Sequence, residues 1–149
     1  RVLMGGRGIE PDIKAEAMEF TPLRFRVNES AFFFVRQLVA GKVKGFEDYK
    51  VDKQNQQWAI PSDAFLVNDK LYEAFRSYTL ASKDSGLSAQ TLAAQADYAR
   101  MRIRVELATA NYSSEAGVQV LLENDPQVLK AAEAVISAKG MAEHNLAMN

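Results

Sequence analysis

Between Ser88 and Asn111 the apolar residues Leu92, Ala96, Ala99, Ile103, Leu107 and Ala110 recur in steps of three and four. At about 3.6 residues per turn these fall on one side of a helix, and Tyr98, Met101 and Val105 widen that side. A helix with such a stripe is held mainly by burying it, so the other segments must cover it. The pattern predicts one long helix that starts at a Ser88 cap and runs to about Asn111.

The same signals recur along the chain. Thr21-Pro22 opens a helix, with proline at its first position and Asn28 as an alternative cap. Ala31, Phe32, Phe34, Val35, Leu38 and Val39 form its stripe, and Gly41 is its stop. Asn68 caps a second helix, with Val67 and Tyr72 placed as a hydrophobic staple and Leu71, Phe75 and Tyr78 as the stripe. Lys83–Gly86 ends it. Ser113 caps a short helix carrying Val118, Leu121 and Leu122. Asp125-Pro126 opens the last, which presents Val128, Leu129, Ala132, Val135 and Ile136 and is expected to stop near Gly140, with residues 141–149 fraying. In the polar connection after Gly41, Trp58, Ile60 and Pro61 are expected to pin the chain to the body. Short loops between five such helices favour a mainly α fold, an antiparallel helical bundle of about five helices.

Residues 1–20 read differently. Val2-Leu3-Met4 is followed by Gly5-Gly6-Arg7-Gly8, and Ile13, Ala15 and Ala17 then alternate with Lys14 and Glu16. This is a strand pattern around a glycine turn, with Pro11 suited to a strand start or edge. A short N-terminal β segment is therefore expected ahead of the bundle. Two strands alone are marginal in water, and no later segment clearly supplies a sheet for them.

Composition narrows function without assigning it. The 149 residues carry 18 basic and 19 acidic side chains, a net charge of −1. That balance argues against a general nucleic-acid binder. The absence of cysteine excludes disulfides, thiolate metal sites and a cysteine nucleophile. The longest purely apolar run, Ala31–Val35, is far short of the roughly 20 residues that span a bilayer.

No constellation assembles a catalytic or metal centre in the sequence. The Gly5–Gly8 run has neither dinucleotide nor P-loop spacing, and it reads as a tight turn. His144 is the sole histidine and lies near the end. Glu115, Glu123, Asp125 and Glu133 are not spaced as metal ligands, and Asp125 reads as a helix cap. No serine is followed four residues later by lysine, and Ser30 and Ser62 have no visible base. No catalytic, cofactor or metal residue is therefore assigned.

Two clusters stand as candidate interface residues. Phe32, Phe33 and Phe34 are consecutive, so at about 100° per residue they cannot all face one core. At least one must meet a second layer, another chain or solvent. Arg100, Arg102 and Arg104 form the densest basic cluster, with Arg102 about 160° round the helix from the other two. Asp97 is a helical partner for Arg100, and Glu106 for Arg102. Solvated faces with such pairs, or partner contacts, both account for this cluster.

Gly5-Gly6-Arg7-Gly8-Ile9-Glu10-Pro11-Asp12 resembles a phrase of the bacterial carboxyl-terminal processing, or tail-specific, proteases. In that family the phrase follows the catalytic Ser/Lys region and returns the chain to the protease sheet. Arg36-Gln37-Leu38-Val39-Ala40-Gly41, Ala116-Gly117 and Asn124-Asp125-Pro126-Gln127-Val128 are similar to the helical extension of some members. The resemblance covers most of the chain. It implies a parent serine endopeptidase, periplasmic or otherwise extracytoplasmic, of which this chain is a part. Residues 1–20 would be a terminal strand-turn of the protease domain, and residues 21–149 a C-terminal helical domain. The family's serine, lysine and PDZ module have no matching positions here, so no catalytic residue carries over.

Three functions compete on this reading. The first is a non-catalytic domain serving packing, oligomerisation or partner contact, with the protease domain of its own parent chain or further copies as partners. The second is a free-standing helical module for a peptide or apolar ligand. The third is an independent hydrolase on an unrecognised fold, which serine labelling by a fluorophosphonate would reveal.

Overall fold

The computed structural model describes residues 13–55, 57 and 59–147, with the side chains of 141–147 excepted. It is mainly helical, and no strand occurs among the described residues. The expected β segment falls largely on residues 1–12, outside the described residues. Over residues 14–20 the alternating pattern forms no ladder.

Among the described residues six α-helices follow in chain order: α1 (Pro22–Val39), α2 (Asp69–Ala81), α3 (Ala89–Ala94), α4 (Ala96–Asn111), α5 (Ser114–Leu122) and α6 (Pro126–Ala147). All but α4 start where the caps predict. Thr21 Oγ1 accepts from Arg24 N, Asn68 Oδ1 from Leu71 N, Ser88 Oγ from Thr91 N and Ser113 Oγ from Ala116 N. Asp125 Oδ1 accepts from Gln127 N at 2.8 Å and from Val128 N at 3.3 Å. Asn28 is not a cap. It lies inside α1, where its Oδ1 accepts the Tyr98 hydroxyl at 2.9 Å. Gly41 ends α1 in the left-handed region at φ 69°, which lets Lys42 N reach back to Gln37 O at 2.9 Å.

The long helix expected over 88–111 is interrupted at Gln95, whose φ and ψ are −110° and 21°. No glycine or proline marks this place. Contacts from α1 converge on it: Arg24 Nε donates to Gln95 Oε1 at 3.5 Å, and the Arg24 guanidinium lies 4.6 Å from the Tyr98 ring centre. At the other end of the chain α6 does not stop near Gly140 but continues to Ala147. A Cβ at Gly140 would meet open space, so this glycine serves no close approach.

The chain divides into two compact units. The larger spans Glu19–Asn124 and holds α1 to α5. In it, Phe34 of α1 packs against Phe75 and Tyr78 of α2, while Arg26 donates to Gly86 O beyond the end of α2. These contacts advance in opposite directions along the two helices. Arg24 with Gln95 and Asn28 with Tyr98 advance in the same direction along α1 and α4. The core gathers Val27, Ala31, Phe34, Leu38, Leu71, Phe75, Leu92, Ile103 and Leu107. Tyr72 belongs to it, and its hydroxyl donates to Leu92 O at 2.7 Å.

A second cluster joins α4 to α5 through Val105, Ala108, Ala116 and Val120, with Ile60 from the connection. Ile60 is thus pinned as expected, while Trp58 lies outside the described residues. The buried side of α5 is its small-residue side. Val118 and Leu122, which the apolar pattern suggested as packing residues, are exposed. Gly117 explains the reversal. A Cβ there would collide with Thr109 Oγ1 and sit 3.2 Å from Val105 O, so the two backbones approach only because it has none.

The smaller unit holds Ile13–Met18 among its described residues, together with Asp125 onward, so α6 groups with the segment that precedes α1. Gln127 Nε2 donates to Ala15 O at 3.4 Å. Ile13, Lys14 and Ala15 line one groove with Gln127, Lys130, Ala131 and Ala134. No helix of the described residues is long and apolar enough to cross a membrane.

Candidate functional site

The phenylalanine run separates as helical geometry demands. Phe34 is fully buried in the core. Phe32 and Phe33 are 44% and 43% exposed and stack edge to face, with ring centres 5.4 Å apart. Arg36 lies 5.6 Å from the Phe32 ring centre. Phe25, one heptad before Phe32, is exposed on the same side of α1. Phe25, Phe32 and Phe33 thus leave aromatic side chains of α1 exposed.

The three arginines are committed to internal contacts. Arg100 does not pair with Asp97, as helical spacing suggested. It donates to Val67 O at 2.7 Å and to Asp69 Oδ1 at 2.6 Å, and it lies 4.4 Å from the Tyr72 ring centre. Arg102 pairs with Glu106 at 2.7 Å, one turn along α4. Arg104 is buried and donates to Ala64 O, Ser62 O and Glu123 Oε2 at 2.8–2.9 Å. Together Arg100 and Arg104 clamp the loop of residues 61–69 onto α4. Arg104 is buried, whereas Arg100 stays partly exposed and its partner Asp69 stands in solvent.

A cleft beside α1 and α2 has no counterpart in the sequence reading. It encloses about 310 Å³, with Glu29, Ser30 and Phe33 on one side and Tyr78, Thr79 and the turn at Ser82–Ser85 on the other. Thr79 is 1% exposed, and its Oγ1 has no hydrogen-bond partner. Such a group is normally satisfied, and this oxygen is closed to solvent within α2. Ser85 Oγ is already occupied, donating to Ser82 O at 2.9 Å. Two carboxylates, hydroxyls and aromatic rings make this a place to hold a small cationic or hydrogen-bonding group. Phe33 was legible as a candidate. Glu29, Thr79 and Asp84 were not, because residues about 50 positions apart meet here.

Among the described residues no group of three His, Asp or Glu side chains is placed to hold a metal ion. Ser30 lines the cleft, and Ser62 lies in the Arg104 loop, where its carbonyl accepts from the guanidinium at 2.8 Å. The side chain of His144 lies outside the described residues. No protein-family model matches the chain, and neither a curated protein nor a solved structure matches it.

Proposed function

We propose that this chain is a non-catalytic helical domain of a protein resembling the carboxyl-terminal processing proteases, an exported serine endopeptidase whose catalytic residues lie outside this sequence. Its work is contact: packing on the protease domain of its own parent chain, oligomerisation, or holding a substrate or partner. On this reading residues 1–20 return to the protease sheet, and the helical bundle, in which α1 runs parallel to α4 rather than antiparallel, presents surfaces to it. The observation that carries the reading is the aromatic side of α1, where Phe25, Phe32 and Phe33 stand in solvent beside a well-filled core. The resemblance of Gly5–Asp12 to the protease phrase supports a protease domain as the partner.

The test is the reading frame upstream of Arg1, followed by binding. A segment there with a serine and lysine dyad, which binds this chain in calorimetry and loses affinity at least about tenfold with Phe32→Asp, is the expected result. An unrelated upstream segment, or affinity untouched by Phe32→Asp, overturns the proposal.

A free-standing peptide- or ligand-binding module is the second reading, favoured by the cleft with Glu29, Asp84, Phe33 and Tyr78 in its lining. Backbone NMR shifts confined to Phe33, Tyr78 and Ser82 on titration with a lysine-containing peptide would support it. Unchanged spectra would remove it.

A further inference from the structure

The apolar stripe of α6 is uncovered. Val128, Leu129, Val135 and Ile136 are 40%, 48%, 68% and 72% exposed. Among the described residues of the same unit, those before α1 do not line it. Ile13–Ala15 line a groove with Gln127, Lys130, Ala131 and Ala134, a side of α6 about 150° from the stripe. The stripe needs an occupant, and its pattern specifies one.

The pattern is symmetric about Ala132. Val128 and Ile136 lie four residues either side of it, Leu129 and Val135 three, and Asp125 and Lys139 seven. At about 100° per residue the positions within α6 fall within about 60° of the Ala132 direction, and Asp125 sits at the cap one position before the helix. The face therefore reads, in both directions, as a charge, two apolar residues, a small residue, two apolar residues and a charge. The two charges are opposite in sign.

We infer that α6 pairs with α6 of a second copy of this chain, antiparallel, about a two-fold axis at Ala132. A surface used this way must be self-complementary, and this one is. Val128 meets Ile136 of the second copy, Leu129 meets its Val135, and the small Ala132 side chains let the helices approach closely at the axis. Asp125 lies toward Lys139 of the second copy at both ends. A parallel pair would set Asp125 against Asp125 and Lys139 against Lys139, so charge selects the antiparallel arrangement. The inference rests on the reading of this chain as a contact domain and names one of its partners. A single helix pair over residues 125–139 is a small interface, so the dimer is weak and concentration-dependent.

Light scattering of the full chain from about 5 µM to about 500 µM tests this, because a small interface dissociates within that range. The expected mass rises from one chain to two. Ile136→Asp holds the mass at one chain, with helicity by circular dichroism unchanged. Ala132→Cys forms a cross-linked dimer on oxidation, since the axis places the position against itself, whereas Ser137→Cys on the far side does not. The native chain has no cysteine to confuse the result. A one-chain mass throughout overturns the inference, as does a dimer that Ala132→Cys fails to cross-link. The cysteine pair decides the matter even if Ile136→Asp disturbs folding. A monomer that still binds the upstream protease segment leaves the contact-domain reading standing, so the two failures are distinguishable.

Discussion

Arg104 on α4 and Glu123, just past the end of α5, form an ion pair at 2.8 Å with side chains 11% and 31% exposed. The same guanidinium donates to the carbonyls of Ala64 and Ser62. One planar group thus ties α4, the end of α5 and the preceding loop. Arg104→Met removes these bonds and leaves buried acceptors without donors. Urea unfolding should show a loss of about 2–3 kcal/mol, the range for bonds to charged groups, tempered by the partial exposure of Glu123. Arg104→Lys should recover less than half of it, because an ammonium cannot reproduce the fork. Equal stability of the lysine variant and the native chain would remove the clamp from this account.

The close approach of α5 to α4 at Gly117 predicts a coupled pair. Gly117→Ala should destabilise the chain by about 1–3 kcal/mol, the usual range for overpacking. The obstructing atom is Thr109 Oγ1, which itself donates to Val105 O at 2.9 Å. Adding Thr109→Ala removes that atom, so the double variant should be more stable than the sum of the single changes allows. Additive losses in thermal melts would place the obstruction elsewhere.

Glu106 and Glu47 should give opposite pH profiles. Burial pushes the Glu106 carboxyl above its ordinary 4.5, against the opposing pull of Arg102. A raised carboxyl favours the folded state while protonated, so its contribution is full below 4.5 and declines as pH rises through the folded pKa. Glu106→Gln should therefore gain stability relative to the native chain as pH increases above 4.5. Glu47 is held below 4.5, chiefly because Gly45 N donates to its carboxylate at 2.8 Å. Its contribution is full above 4.5 and disappears as pH falls, so Glu47→Gln should matter least in acid. Chemical melts across pH check both, and parallel profiles would contradict the assignments.

Thr79 offers a test of what the cleft is for. A buried hydroxyl without a partner is destabilising, and valine has nearly its shape. Thr79→Val should raise stability by about 1 kcal/mol in urea unfolding. If a ligand in the cleft draws this solvent-closed hydroxyl toward it, the same substitution should weaken that binding. A destabilised Thr79→Val chain would mean that the hydroxyl is already satisfied in solution.

Where helices begin was legible, because a cap reaches only two or three residues along the chain. Thr21, Asn68, Ser88, Ser113 and Asp125 each accept from an amide that close. The stripes of α2 and α4 were legible for a related reason, since Leu71, Phe75, Ile103 and Leu107 follow helical periodicity and are buried. Tertiary packing decided the rest. Arg100 chose Asp69, 31 residues away, over its helical neighbour Asp97, because the loop before α2 also offers the Val67 carbonyl. Gln95 breaks a helix that local propensity would have continued, where contacts from α1 converge. Periodicity shows that a face is apolar but not what covers it. Phe34 found the core while Phe32 and Phe33 stand outside it, and the stripe of α6 remains open. Caps and stripes are properties of neighbours in sequence, whereas burial depends on which distant segments meet.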